Sequence, residues 1–136
     1  MAKGILADVH MIGDVERLIA VMQGPPWTEF WNYLGLALYR FDDFGLTPTS
    51  TDLEIWLCCQ AQQLILITDN RQEESADSLG VAIRKHGTPS SLPVFTIGSV
   101  TRFQKSKSYA VRVVDALLVN LLEIDRVRGA GRLYLP

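Results

Sequence analysis

Cysteine is nearly absent from this 136-residue chain, and the two it has, Cys58 and Cys59, are adjacent. Neighbours on a helix point about 100° apart and cannot close an ordinary structural disulfide. That excludes a disulfide-stapled scaffold. With only two histidines, His10 and His86, far apart in the chain, no zinc-ligand spacing is present either. The thiols are expected to be small core hydrophobes of a buried helix. Long apolar runs are also missing. Stretches such as Leu34–Tyr39 and Ala116–Val119 fall far short of the roughly 20 residues that cross a bilayer. Also missing are GxGxxG, GxxxxGK[ST] and GxSxG, which removes the glycine-loop nucleotide binders and the nucleophile-elbow hydrolases. The start, Met1-Ala2-Lys3-Gly4, leads into a short apolar run and an Asp. Without an apolar signal core, the expected location is the cytoplasm.

What is present suits one globular domain: 48% apolar and 21% charged residues, in a chain long enough to bury a sizeable core. The formal charge is −2, but it is unevenly spread. Residues 1–83 carry 12 acids and 4 bases, and residues 84–136 carry 3 acids and 9 bases. One reading is an acidic, metal-holding pocket beside a basic rim that attracts polyanions; the other is chance segregation of solvated charges.

Ile5-Leu6-Ala7 reads as a first strand ending at Asp8. Asp14 is placed to cap a helix whose Val15, Leu18, Ile19 and Met22 fall on one face, and Gly24-Pro25-Pro26 stops it. Thr28 is expected to cap a short second helix, with Trp27, Phe30 and Trp31 as aromatic packing. Leu36–Phe41 reads as strand 2 and residues 42–48 as a loop. Thr51 and Glu54 form a capping box for a helix to about Gln62, with Ile55, Cys58, Cys59 and Gln62 along one side. Leu64–Thr68 is an unbroken apolar strand, the signature of burial on both faces of a parallel sheet. A helix is expected over Glu73–His86 and a strand over Leu92–Ile97, whose Pro93 suggests a sheet edge. A basic loop, Ser99–Ser108, is followed by a long helix from Tyr109 to about Arg126. That helix is apolar on most of its circumference, so it is central or lies in a homodimer interface. Residues 1–126 thus form a single α/β domain, and residues 127–136 a flexible link whose apolar end docks either on the chain itself or on a partner. Alternating strands and helices predict a three-layer α/β/α fold around a mainly parallel, four- to five-stranded sheet.

In an open parallel sheet, chemistry gathers at the carboxyl ends of the strands. Asp8 ends strand 1, Asp69 and Asn70 follow strand 3, and Asp52 opens the helix entering strand 3. Converging carboxylates repel unless a hard divalent cation neutralises them, and Mg²⁺ with oxygen ligands fits. Such a cation activates water and stabilises charge on a phosphodiester. Plainer readings stand beside this one. Asp52 suits a helix start through the dipole alone, and Asp69-Asn70 are common turn residues. Asp8 is the hardest to explain away, because an acid ending a buried strand needs a partner. His10 is either a loop residue or a neighbour of the site. Trp27, Trp31 and Trp56 are core residues or, less simply, stacking platforms for single strands.

The ordered set Ile5-Leu6-Ala7-Asp8, Phe44-Gly45-Leu46, Ser50-Thr51-Asp52-Leu53-Glu54-Ile55 and Leu64-Ile65-Leu66-Ile67-Thr68-Asp69-Asn70-Arg71 resembles the PIN-like nucleases, in particular the compact branch that includes the Mut7-C-type domain. The resemblance covers residues 4–98. It implies metal-binding acids at Asp8 and Asp52, with Thr68 and Asn70 as the site-facing pair after strand 3. It implies a ribonuclease dependent on weakly held Mg²⁺ or Mn²⁺, in the setting of a toxin with an antitoxin protein as partner. Asn70 stands where the family often has Asp. The family's second acid has three candidates here, Glu29, Asp42 and Asp43. Arg71, Arg84, Lys85, Arg102, Lys105 and Lys107 are the expected contacts to the RNA backbone. The alternative is a catalytically degenerate domain whose C-terminal helix and tail form a homodimer or dock a partner. Neutral Asn70 favours it.

Overall fold

The computed structural model describes residues 2–72 and 75–136. Five strands form one sheet in the order β2-β1-β3-β4-β5. They are β1 (Gly4–Ala7), β2 (Ala37–Tyr39), β3 (Leu64–Thr68), β4 (Val94–Ile97) and β5 (Arg132–Leu135). Every neighbouring pair is parallel. β1, β3 and β4 are buried at every position, which is why Leu64–Thr68 reads as continuous rather than alternating.

Successive side chains point to opposite faces, and the two faces have separate cores. Ile5, Ala7, Ile65, Ile67, Phe95 and Ile97 pack under α1 (Ile12–Gln23), α2 (Thr28–Leu34) and α6 (Lys107–Leu122). Leu6, Leu64, Leu66 and Val94 pack under α3 (Asp52–Gln62) and α4 (Leu79–His86). The three-layer α/β/α arrangement expected from the alternation is the one observed.

The helix faces follow the periodicity, with Val15, Leu18, Ile19 and Met22 of α1 all buried. Several local expectations are corrected. Asp14 does not cap α1; it lies in the first turn and accepts from Gln104 Nε2 at 2.9 Å. Asp8 instead caps a short 3-10 turn, Val9–Met11, that precedes α1. Thr28 is the first residue of α2 rather than its cap, and its hydroxyl donates to the Gln23 carbonyl. Strand 2 is cut to three residues because Phe41–Phe44 winds into a 3-10 turn. The buried side of α3 is Ile55, Trp56 and Cys59, not a stripe through Cys58 and Gln62. α4 begins at Leu79, capped by Ser78 Oγ; Glu73 and Glu74 lie outside the described residues.

The largest corrections concern the C-terminal half. Ser99 caps a helix, α5 (Val100–Lys105), where a loop was expected. The long helix ends at Leu122, and a separate turn, α7 (Ile124–Val127), follows. Residues 132–135 dock on the chain itself as the fifth strand, with Leu135 buried, rather than forming a flexible link. β4 is therefore interior, flanked by β3 and β5. Pro93 is compatible with that place because it precedes the first strand residue, where its missing N–H interrupts no ladder.

Candidate functional site

The ladder itself brings the acids together. Asp8 continues β1 by one residue, its N–H donating to the Ile67 carbonyl at 3.1 Å. β3 ends at Thr68, whose side chain lies on the α3/α4 face and is fully buried. Thr68 Oγ1 donates to Asp8 Oδ2 at 2.7 Å. The other Asp8 oxygen accepts the Val9 N–H at 2.8 Å. A carboxylate at the end of a buried strand thus receives the donors its desolvation requires.

Beyond Thr68 the chain turns. Asn70 N–H donates back to Thr68 Oγ1 at 3.0 Å, and Asn70 Oδ1 accepts from Gln72 N at 2.8 Å. This leaves Asn70 Nδ2 to donate to Asp52 Oδ2 at 2.9 Å. Asp52 sits at the first position of α3, set by the Thr51–Glu54 capping box. The same Asp52 oxygen accepts the Leu79 N–H at 3.0 Å, so it also ties α3 to the start of α4. Asp8, Thr68, Asn70 and Asp52 are therefore one unbroken hydrogen-bond chain across the carboxyl ends of β1 and β3.

Asp69 points elsewhere, as expected for the residue between Thr68 and Asn70. Its Oδ1 lies 2.6 Å from His10 Nε2, and His10 Nδ1 lies 3.5 Å from Asp8 Oδ1. His10, 56% exposed at its side chain, thus bridges the two acids and extends the chain. The hydrogen bond it donates to Asp69 raises its pKa above the ordinary histidine value. Partial burial opposes the rise, and the charges of Asp8, Asp69 and Asp14 add to it.

The basic residues divide. Arg71 donates to the Gly98 carbonyl and is engaged within the fold. Arg102 and Lys105 are exposed on α5, directly after β4, on the carboxyl-end side of the sheet. Arg102 also stacks over Tyr109, 4.3 Å from the ring centre. Lys107 is exposed at the start of α6. Arg84 and Lys85 lie in the last turn of α4, more than one turn from the end that touches Asp52, so they are not placed beside the acids. Of the candidates for another acid, Asp43 caps the turn after β2 by accepting from Arg40 N, and Glu29 is exposed on α2. Among the described residues, neither these two nor Asp42 bonds to the chain joining Asp8 and Asp52.

The donor chemistry suits a hard cation, since Mg²⁺ is commonly held by one or two carboxylates and keeps several waters. Among the described residues, no group of three or more His, Cys, Asp or Glu side chains is arranged to hold a metal ion. No Arg or Lys side chain among them pairs with Asp8 or Asp52. A cavity of about 550 Å³ lies away from the acids. It opens at the amino ends of β4 and β5 and is lined by Trp56, Ile83, Leu92, Arg128, Gly129 and Gly131, among others.

Sequence reasoning missed Arg132. Its Nη1 donates to the Asn70 carbonyl at 2.6 Å and to Thr96 Oγ1 at 2.8 Å. Nothing local announces this, because the partners are 62 and 36 residues away. The chain matches no protein-family model, no curated protein and no solved structure.

Proposed function

We propose that the protein is a metal-dependent ribonuclease of PIN-like type, acting at the carboxyl ends of β1 and β3. The observation that carries this reading is the hydrogen-bond chain Asp8–Thr68–Asn70–Asp52, which ties two carboxylates 44 residues apart in sequence to one site. Asp8 and Asp52 would hold Mg²⁺ or Mn²⁺. When bound, the cation supplies Lewis-acid activation of water and neutralises charge on the phosphodiester. Thr68 fixes Asp8 Oδ2, and Asn70 fixes Asp52 Oδ2. Arg102 and Lys105 on α5 attract the RNA backbone. A role as the toxin of a toxin–antitoxin pair belongs to the same proposal.

The test is cleavage of a fluorogenic single-stranded RNA by purified protein with Mg²⁺ or Mn²⁺. Wild type cleaves and Asp8→Asn does not; undiminished cleavage by Asp8→Asn rejects the assignment.

One observation favours a second reading, a catalytically degenerate binding module that dimerises. Tyr33 of α2 and Val119 and Leu122 of α6 are exposed, and Tyr33 and Leu122 line a groove of about 340 Å³ that continues onto α7. Exposed apolar side chains gathered in one place mark contact surfaces more often than isolated ones do. A concentration-independent monomer in sedimentation would exclude it.

A further inference from the structure

We propose that Arg132, carried to the site by the C-terminal strand, is the positioning residue of the acidic centre. The inference rests on the reading of that centre as catalytic. The pairing of Val94 with Arg132 puts the Arg132 side chain on the α3/α4 face of β5, the face that also carries Thr68 and Thr96. From there Nη1 spans two acceptors on two different segments, the fully buried Thr96 hydroxyl of β4 and the Asn70 carbonyl after β3. Nη1 carries two N–H donors held in the guanidinium plane, so this one nitrogen serves both acceptors and ties the Asn70 carbonyl to the Thr96 hydroxyl. Three of the four polar groups of Asn70 are then held: its N–H by Thr68, its Oδ1 by Gln72, its carbonyl by Arg132. Only Nδ2 remains, and it donates to Asp52.

The second observation is the cost the fold accepts. Among the described residues, Arg132 Nη2 is buried with no hydrogen-bond partner and no carboxylate pairs with the guanidinium. An unsatisfied buried donor is unfavourable, and an uncharged side chain at this edge-strand position would avoid it. Beyond its bond to Thr96 and its place 5.9 Å from the centre of the Tyr134 ring, the arginine contributes the clamp on Asn70. It brings positive charge next to the residue that holds Asp52 without pairing with either acid.

The experiment uses the full chain and the variants Arg132→Gln and Arg132→Lys. In metal-free protein, the side-chain amide pair of Asn70, assigned with Asn70→Ser, is followed by ¹H–¹⁵N NMR. RNA cleavage is measured in parallel. Arg132→Gln is expected to shift the Asn70 amide pair and speed its hydrogen exchange. It is expected to lower kcat by about 10- to 100-fold, as loss of an outer-shell partner does, with KM within about twofold. Arg132→Lys recovers part of both, since an ammonium keeps the charge and the donors but not the planar geometry that aims them. A folded Arg132→Gln with unaltered Asn70 amide signals and unaltered kcat overturns the proposal. If that variant does not fold, Arg132→Lys decides, and wild-type behaviour in both readouts overturns it. A wild-type protein that cleaves no RNA rejects the nuclease reading, and the Asn70 amide signals then decide the clamp by themselves.

Discussion

Thr68 donates its hydroxyl proton to Asp8 Oδ2 and, through the same oxygen, accepts the Asn70 N–H. One buried hydroxyl thus sets both the carboxylate that ends β1 and the turn that ends β3. Valine has the same shape but neither the donor nor the acceptor. Thr68→Val leaves an Asp8 oxygen and the Asn70 N–H without partners, at a cost of about 1–3 kcal/mol. Urea unfolding should show a lower midpoint with an unchanged slope. An unchanged midpoint would mean that water replaces the hydroxyl and that the site is wetter than the burial of Thr68 indicates.

His10 gains a carboxylate partner on folding, which raises its pKa above 6.5. The stabilisation is therefore complete below the unfolded value and disappears as pH rises through the higher folded value. In metal-free protein the NMR titration midpoint of His10 should lie above 6.5, and Asp69→Asn should lower it. The stability advantage of wild type over Asp69→Asn should shrink across that interval. The ring is more than half exposed, so solvent screening keeps the effect small. A midpoint unmoved by Asp69→Asn would break the assignment of the 2.6 Å contact.

Leu135 tests whether the last residues belong to the domain. It is 2% exposed and packs into the core shared by α1, α2 and α6. Leu135→Ala should destabilise by about 2–4 kcal/mol, as truncation of a buried leucine does. A loss below about 0.5 kcal/mol, the scale of surface changes, would return these residues to the status of an appended tail. Thermal or urea unfolding reads the difference directly.

The two thiols should react differently from free cysteine. Burial raises the pKa of both, and Cys59, 1% exposed, is raised the further, with the neighbouring Cys58 and Asp8 adding to the effect. Thiolate is the reactive form, so at about pH 8 Cys58 should modify slowly with iodoacetamide and Cys59 only on unfolding. Mass spectrometry of labelled peptides distinguishes them. Rapid labelling of Cys59 in folded protein would contradict the packing of α3 against β3.

Local order was written where short-range chemistry decides it. The Thr51–Glu54 capping box needs only residues three apart, α1 needs only its four-residue apolar spacing, and β3 needs only an apolar run. Asp8, Asp52, Thr68 and Asn70 could be nominated because each adjoins the end of such an element. His10 was visible as a neighbour of Asp8 but not as a partner of Asp69, 59 residues away.

Elsewhere a residue's surroundings, not its identity, settle the outcome. Pro93 reads as an edge signal, but whether a strand has neighbours on both sides depends on where residues 132–135 go. Arg132-Leu133-Tyr134-Leu135 alternates no more clearly than a loose tail would, and it becomes a strand because β4 offers an unpaired edge and Leu135 finds the core beneath it.

Sequence alone determined the alternation of strands and helices, the double burial of β3 and the placing of acids at strand and helix ends, because periodicity and capping act over a few residues. Only the tertiary structure decided that Thr68 and Asn70 link Asp8 to Asp52, and that Arg132 holds Asn70. Hydrogen bonds between segments depend on strand order and register, and these are set by how two cores pack on one sheet.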